Sequence, residues 1–564
     1  MAPKKAPSKP PTSLSLPYSL ASLPSSQHRA GLAGLVLLAR YLERVQGRNG
    51  LFCCKDLSET GVTLELDAQG LKEAFDVLYA ASFEEVAEPK QRKKDNRIVE
   101  PIRREEKQEQ DKKGQIKTKT VYIYPSVVPQ GGPLAEWDLS EPKAWIKLWR
   151  NFIWQIPRGN PQSRGPYEDR ASGVSSEDHQ DVWQMLCKQP EPSVKLASTC
   201  YLGAQEKTSE DVLFQDQGRN QFLLHFWPLT LSIYVPQEVN PKDGKRTFIG
   251  FAVAVPDVSD LELFCDIYPA LCKERWTDSE MNGYRPKASI VDIAPESALD
   301  TMTQLHKHLT HQEGNLNTKS CVFGFDVFHM NKEGNNVRLL SMGRIEPDDA
   351  ILRSYERIKN FFRDPFFRKQ RLLNLLANAG NASVPWYQGF DHLLATLPHK
   401  TQGFGSRDFR RDAYATFALE NKNMDQDKES KYSALIYRMV QTYVLRKVEQ
   451  KCGLRWDKVQ DEDPKDSNRR LYEETKEKIA RDAFLAVRSR TGRDFLDYFA
   501  GTIASVQQRI KSEDFIEFTR WLRSNPDDVR TLTLLALSAV GLTQKEYVHA
   551  QEEPVCIGDD LRRS

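Results

Sequence analysis

The chain has 564 residues and a formal net charge of +2, with 28% of its residues charged and 39% apolar. This length predicts about two to four domains, and the near-neutral charge excludes a uniformly basic polyanion binder, so any nucleic-acid site must be a local patch. The nine cysteines are scattered without a C-x-x-C pair, which disfavours disulfide frameworks and cysteine zinc sites and indicates the reducing cytoplasm.

The first predicted helix contains the apolar run 30–39, which is flanked by arginines. The run is too short to span a membrane, for which about 20 apolar residues are needed, and no signal-peptide cleavage pattern follows it. We therefore predict a buried helix, with Ser25 or Ser26 capping its first turn. Gly31 and Gly34 lower helix propensity, so they indicate the close approach of another backbone.

Two N-terminal segments are predicted to be solvated. Residues 1–15 are rich in Lys and Pro and are predicted to be a disordered tail. Residues 90–119, the basic arm, carry twelve Lys or Arg against six Asp or Glu, which predicts a solvated loop or mobile arm. Within the basic arm, Arg92, Lys93 and Lys94 are candidate phosphate contacts, and a bare solvated face is the alternative.

A third segment combines aromatic and basic residues. Four tryptophans at helix-like spacing lead into residues 156–170, "IPRGNPQSRGPYEDR", whose prolines and glycines predict irregular structure. Guanidinium groups suit phosphates and guanine edges, amides suit adenine edges, and aromatic rings stack on unpaired bases. The candidate nucleic-acid-binding residues are Arg150, Arg158, Asn160, Gln162, Ser163 and Arg164.

The second half of the chain changes from strand to helix. Residues 195 to 345 are predicted to be mostly strands and to end in a hairpin around 332–336. From about 348 the apolar residues recur at spacings of three and four, which predicts helices, the first of them basic and interrupted at Pro365. Its candidate nucleic-acid contacts are Arg363, Arg368, Lys369 and Arg371, within a stretch that also holds Arg353 and Arg357.

The predicted fold class is α+β. A mixed α/β region with a largely antiparallel sheet is expected over residues 16–347, followed by a basic helical connector over 348–423 and an all-α helical bundle over 424–564. Met424 lies in a polar linker before the bundle, where a domain boundary is expected. We therefore predict that the bundle folds alone.

No catalytic motif for phosphate cradling, dinucleotide binding, serine hydrolysis or zinc proteolysis is present. His306, His308 and His311 raise the alternative of a metal-dependent nuclease or deaminase. No carboxylate or second ligand set accompanies them at a diagnostic spacing, so a polar helix face is favoured. Asp326 and His329 are expected on opposite faces of a strand, where they cannot form one acid–base site. We predict no catalysis, no metal and no cofactor.

Five strings in the chain resemble one known family when read in this order. They are "LPSSQHRAGLAGL" (23–35), "IPRGNPQSRGPYEDR" (156–170), "YLGAQ" (201–205), "GFAVAVPDVSDLELF" (250–264) and "FDVFHMNKEGNNVRLLS" (325–341). The family is the myxococcal-type large subunit of type I CRISPR interference complexes (Cascade), the Cas-eight family. The resemblance extends from about residue 16 into the C-terminal bundle.

This resemblance implies a non-catalytic protein that works with guide RNA and target double-stranded DNA and not with a membrane. Such a subunit lies beside the backbone, RNA-handle-binding and small subunits. It checks the short motif adjacent to the target, helps to open the duplex, and guides the displaced strand. Its downstream partner is a helicase-nuclease or, in some relatives, transposition machinery. The resemblance further implies C-terminal helices like a small subunit, which an internal start such as Met424 would produce separately. A standalone RNA-binding adaptor is the alternative.

Overall fold

The computed structural model describes residues 11–542 except 95–96, 111–115, 142, 158–163, 175, 196–201, 203–214, 278–279, 283–284, 312–315, 335, 380–383, 399–402, 421–427, 461–462, 464–465 and 507–511. The chain forms two compact units. Unit 1 comprises Met1–Gln237 and Phe248–Pro347, and unit 2 comprises Glu238–Thr247 and Asp348–Ser564. In the described part of the chain, every helix is too short or too polar to cross a membrane.

Unit 1 begins with alternating strands and helices. In chain order these are β1 (Leu14–Ser19), α1 (Ser26–Glu43), β2 (Phe52–Ser58), β3 (Gly61–Leu66), α2 (Ala68–Leu78), β4 (Ala81–Glu88), β5 (Lys93–Lys94), β6 (Arg97–Ile98), β7 (Arg103–Gln110), β8 (Ile116–Pro129), α3 (Pro133–Trp137), α4 (Ala144–Gln155), α5 (Gly165–Ala171) and α6 (Asp178–Cys187).

The described part of the chain from 193 to 345 contains the strands of the main sheet and three α-helices. In chain order its elements are β9 (Ser193–Lys195), β10 (Gln215–Gln217), α7 (Gly218–Leu223), β11 (Ser232–Val239), β12 (Arg246–Phe248), β13 (Phe251–Val258), α8 (Leu261–Arg275), β14 (Met281–Asn282), β15 (Arg285–Pro286), β16 (Ile290–Val291), α9 (Glu296–His311), β17 (Val322–Glu333) and β18 (Asn336–Ile345).

The main sheet of unit 1 is antiparallel in the order β11–β13–β17–β18, with β16 parallel to β11. Both α1 and α9 contact β13, and all eight residues of β13 are buried, as expected for a strand covered on both faces. Smaller antiparallel sheets have the orders β1–β3–β2 and β4–β8–β7. The predicted α+β class and the predicted β17–β18 hairpin are confirmed.

Helix α1 is buried as predicted, and its glycines explain how it packs. A Cβ atom on Gly31 would lie below 3.0 Å from the carbonyl oxygen of Leu223, and one on Gly34 would lie as close to that of Phe226. The backbone approach predicted from these glycines is therefore present. The predicted cap differs, because the Ser25 Oγ lies 2.8 Å from the His28 ring nitrogen and makes no hydrogen bond to a backbone N–H.

The two segments predicted to be solvated contain strands. Strand β1 starts at Leu14, which pairs with Leu66, so the predicted tail of residues 1–15 was too long by two residues; residues 1–10 lie outside the described part. The basic arm was predicted to be a solvated loop or a mobile arm, but β7 pairs antiparallel with β8. The loop prediction was wrong because the strand ladder satisfies the backbone groups of β7 while its polar side chains need no core.

Two further segments differ from the predicted pattern. Residues 156–170 were predicted to be irregular, but α5 begins at Gly165. Pro166 lies in its first turn, where a backbone N–H would have no partner within the helix, so its absence costs nothing. Residues 222–236 were predicted to be strand, yet α7 and a short 3₁₀ turn precede β11. Short apolar runs do not distinguish a buried helix from a buried strand, which explains the error.

Unit 2 is helical in its described residues from 348 onward. Its helices are α10 (Asp349–Phe361), α11 (Pro365–Ala379), α12 (Phe390–Thr396), α13 (Arg407–Glu420), α14 (Lys428–Cys452), α15 (Trp456–Val459), α16 (Ser467–Arg488), α17 (Gly492–Tyr498), α18 (Ser512–Ser524) and α19 (Pro526–Val540). Helix α19 is buried from Val529 to Val540 and contacts α12, α13, α14, α16, α17 and α18. It is the central helix of this unit.

Candidate nucleic-acid interface

Strand β8 holds two of the arginines predicted to bind nucleic acid. The Arg92 guanidinium donates to the Pro125 carbonyl oxygen at 3.2 Å and to the Ser126 Oγ at 2.5 Å. The Arg150 Nε donates to the Pro129 carbonyl oxygen at 2.6 Å. Because a strand rises about 3.3 Å per residue, the two arginines attach to points roughly 10 Å apart on the same strand.

These two arginines already have partners within the chain. Arg92 also forms an ion pair of 2.7 Å with Glu88, and its guanidinium lies over the Tyr124 ring at 4.8 Å. Arg150 is half-buried, and burial lowers the pKa of its guanidinium. The side chains of Lys93 and Lys94, in β5, lie outside the described residues. Nucleic-acid contact by this group stays a prediction.

Arg164 lies against the C-terminal end of α4. Its Nη2 donates to the Trp154 carbonyl oxygen at 2.5 Å, and its guanidinium lies 4.6 Å from the centre of the Trp154 ring. Both side chains are half-buried. The other candidates of this segment, namely Arg158, Asn160, Gln162 and Ser163, lie in 158–163, outside the described residues. The Arg164–Trp154 pair therefore marks one end of the predicted binding segment.

Helix α10 presents two exposed arginines opposite its buried face. Leu352, Tyr355 and Ile358 are buried, whereas Arg353 and Arg357, the α10 arginine pair, are exposed one helical turn apart. No described residue forms an ion pair with either arginine. The pair is thus an exposed double positive charge on an otherwise nearly neutral chain.

The four candidates on and before α11 fall into two groups. Arg363 and Lys369 are exposed, while Arg368 and Arg371 are half-buried. The Arg371 Nη1 donates to the Trp386 carbonyl oxygen at 3.1 Å, and its guanidinium lies 5.4 Å from the centre of that ring. Arg371 therefore helps to hold α11 against the segment before α12, and the exposed pair is better placed to meet a polyanion.

Two buried carboxylates support this end of α11. Asp364 accepts from the backbone N–H groups of Phe366 and Phe367, both at 3.0 Å, which caps the helix. Asp412 accepts from the backbone N–H of Arg363 at 2.9 Å. Burial raises the pKa of Asp364 to about 6 and that of Asp412 to about 8. Arg363 is thus fixed by its backbone while its side chain remains exposed.

A polar network that the sequence did not reveal joins α1 to the main sheet. The Ser26 Oγ donates to Asp326 at 2.5 Å, and the Arg29 Nη1 donates to Asp257 at 2.5 Å. Arg344 donates to Asp257 at 2.7 Å and lies 3.4 Å from Asp326. The network connects α1, β13, β17 and β18. Asp326 was considered only as a partner of His329, which instead lies 2.8 Å from the Ile249 carbonyl oxygen.

The same short run of α1 contacts two further segments. The backbone N–H of Leu202 donates to the Gln27 side chain at 2.9 Å, and the His28 Nε2 lies 3.0 Å from Asp216. Four of the five strings that carry the family resemblance therefore meet at the N-terminal turn of α1. A signal for this was present in the sequence, because the polar run "SSQHR" (25–29) forms the first turn of a helix whose next ten residues are apolar or glycine.

The three histidines do not form a metal site in the described residues. His306 lies 3.2 Å from the Thr318 hydroxyl, and His308 lies 3.2 Å from Glu274. His311 is exposed at the end of α9. Across the described ranges there is no group of three or more His, Cys, Asp or Glu residues that could hold a metal ion.

Two family matches cover most of the chain. Residues 51–315 match the family described as Type I-B CRISPR Cas8b N-terminal domain. Residues 322–540 match the family described as Type I-B CRISPR Cas8b C-terminal domain. No curated protein matches the chain. The matches follow one another in order, and the change from one to the other lies at residues 316–321, just before β17.

Proposed function

The chain belongs to the Cas8b family of type I CRISPR large subunits, and on this premise we propose that it is the non-catalytic large subunit of an RNA-guided DNA surveillance complex (Cascade). In this role it recognises the protospacer-adjacent motif in duplex DNA, assists R-loop formation, and recruits the downstream effector. The guide RNA pairs with the target strand, while the protein reads the short motif and the shape of the duplex.

The α10 arginine pair is the observation that carries the proposal beyond the family match. Two exposed positive charges without a described acidic partner fit a phosphate backbone, which attracts lysine and arginine without regard to sequence. Arg363 and Lys369 add exposed charge on the following segment. The basic surface is local, as a net charge of only +2 requires.

The proposed partners follow from this role. They are the guide RNA, the target DNA, the backbone, RNA-handle-binding and small subunits, and a helicase-nuclease or transposition machinery. The proposed compartment is the cytoplasm, where such complexes meet foreign DNA. The myxococcal type predicted from the five strings stays a prediction, because both matching families are described as type I-B.

Motif recognition is tested with Arg164→Ala in the assembled complex. If Arg164 reads a base edge, its loss weakens binding to the preferred motif by about 1–3 kcal/mol and flattens the preference among motifs. Arg493→Ala is the control, because that side chain is 94% exposed and lies on α17. Affinities for a set of duplexes that differ only in the adjacent motif supply the measurement. An equal loss on every motif assigns Arg164 to phosphate, and unchanged affinity removes it from the interface.

The non-catalytic role has its own test. The purified chain, incubated with DNA or RNA and divalent cations, is expected to leave both intact. A metal-dependent cut that disappears in the His308→Ala variant would establish the nuclease alternative instead.

A further inference from the structure

A cavity of about 340 Å³ opens in unit 2 among α13, α14, α15, α16 and the end of α19. Four aromatic side chains line it, together with a small number of polar groups. The aromatic residues are Tyr414, Tyr437, Trp456 and Tyr472. A neighbouring cavity of about 240 Å³ shares Trp456 and Tyr472 with it and adds Arg446 and Arg455. The two cavities therefore form one aromatic groove with a basic end.

Glu473 is the unusual polar group of this groove. Its side chain is only 13% exposed, both carboxylate oxygens are buried, and neither accepts a hydrogen bond from a described residue. The Lys476 Nζ lies 3.3 Å from one of them but donates to the Leu542 carbonyl oxygen at 2.8 Å. Buried acceptors without donors are unfavourable. The carboxylate therefore suits a ligand that brings N–H groups.

The aromatic rings and the basic end together indicate what kind of ligand this is. The Trp456 and Tyr472 ring centroids are 5.7 Å apart, and burial raises the pKa of Tyr472 to about 12, so its phenol stays neutral. Arg446 and Arg455 are 53% and 57% exposed at the mouth of the second cavity, where both pair with Glu449, so this end keeps a net charge of +1. An organic cation would be repelled by these arginines and by Lys476. A nucleotide satisfies all three features, because its base stacks, its amino group donates and its phosphate is anionic.

We propose that this groove binds one unpaired nucleobase, stacked on Trp456 and Tyr472, whose Watson–Crick N–H groups donate to Glu473. Guanine presents a ring N–H and an amino group side by side and thus satisfies both carboxylate oxygens. Adenine and cytosine offer an amino group alone and thymine offers a ring N–H alone, so each of these bases satisfies only one carboxylate oxygen. The inference rests on the proposed function, since an opened duplex supplies the unpaired bases, and it adds a base preference within unit 2.

The test uses the full chain and single-stranded oligonucleotides of about 12 thymidines, in which one central position carries guanine, adenine, cytosine, thymine or no base. Fluorescence anisotropy gives each affinity. We expect the guanine oligonucleotide to bind roughly tenfold more tightly than the all-thymine one. We expect Glu473→Gln, which preserves shape, to abolish this difference without weakening the binding of the all-thymine oligonucleotide.

A second pair of variants separates stacking from general packing. Trp456→Phe is expected to weaken the binding of all five oligonucleotides, because each of them carries thymines that can stack in the groove. Trp521→Phe is the matched control, because Trp521 stacks on Tyr432 at 4.6 Å, elsewhere in the same unit. If Trp456→Phe does not fold, as its thermal melt would show, the Glu473→Gln comparison alone decides the question.

The outcomes distinguish this inference from the proposed function. Equal affinities for all five oligonucleotides, or a guanine preference that persists in Glu473→Gln, would overturn the base site while general DNA binding and the proposed function stand. The absence of binding to any oligonucleotide or duplex would overturn both.

Discussion

Replacing Asp257 by Asn is expected to loosen α1 from the main sheet of unit 1. Asp257 has a side chain only 6% exposed, and it accepts from Arg29 at 2.5 Å and from Arg344 at 2.7 Å. Removing one partner of a buried ion pair destabilises proteins by about 3–5 kcal/mol. Here the arginines are 22% and 38% exposed, so water replaces part of the lost interaction. We therefore expect a loss of about 2–3 kcal/mol in the free energy of unfolding.

The measurement is a thermal melt of the purified chain next to a matched control. Roughly 2 °C per kcal/mol for a unit of this size gives a fall of about 4–6 °C in the Tm of the unit 1 transition. Asp266→Asn removes the partner of Arg40 in a pair that is 56% and 37% exposed. Exposed pairs contribute about 0–1 kcal/mol, so this control should melt like the parent. Equal melts for the two variants would show that the buried network does not hold α1.

Three more predictions concern packing, charge and domain structure. Gly34→Ala should lower the Tm, because overpacking costs about 1–3 kcal/mol and the gain in helix propensity offsets only about 1 kcal/mol. Gly343→Ala is the control and should not lower the Tm, because no atom lies within 4 Å of the added methyl group. A higher Tm for Gly34→Ala would contradict the close approach of α1 to the Phe226 backbone. Replacing both α10 arginines by Ala should reduce the slope of log affinity for duplex DNA against log salt concentration by about 1.8, because each of two lost phosphate contacts contributes about 0.9. An unchanged slope would show that the pair does not contact DNA. The fragment 348–542 should melt cooperatively when followed by circular dichroism. A fragment starting at Met424 should fold but melt at a lower temperature, because it lacks α13, which packs on α14 and α19. Equal melting temperatures of the two fragments would show that α13 adds no stability.

The elements predicted correctly were those in which the hydrophobic periodicity and the position of the glycine residues indicate the same structure. Helix α1 combines an apolar run with two glycines, and both the burial and the close backbone approach could be read from those residues. The β17–β18 hairpin has alternating runs around a turn containing Gly334, whose φ is +60°. Local sequence suffices here because the physical cause, burial or backbone conformation, lies within the segment itself.

The elements that were missed depend on distant partners. Strand β7 contains no apolar residue, and only its pairing with β8 makes it a strand. The network around Asp257 joins residues more than 200 positions apart, since Arg29 and Asp257 are separated by 228 residues. The aromatic groove draws Tyr414, Trp456 and Leu542 together from two helices and the segment that follows α19. No spacing rule along the chain encodes such sites, because packing alone brings their members together.

Whether the chain acts on DNA within an RNA-guided complex is decided by duplex opening in a reconstituted complex. The complex is assembled with a guide RNA, with and without this chain, and presented with a target duplex that carries or lacks the adjacent motif. Permanganate reactivity of unpaired thymines in the displaced strand reports the opening. The proposed function predicts reactivity only when both the chain and the motif are present. Equal reactivity without the chain would contradict its assignment as the subunit that reads the motif and opens the duplex.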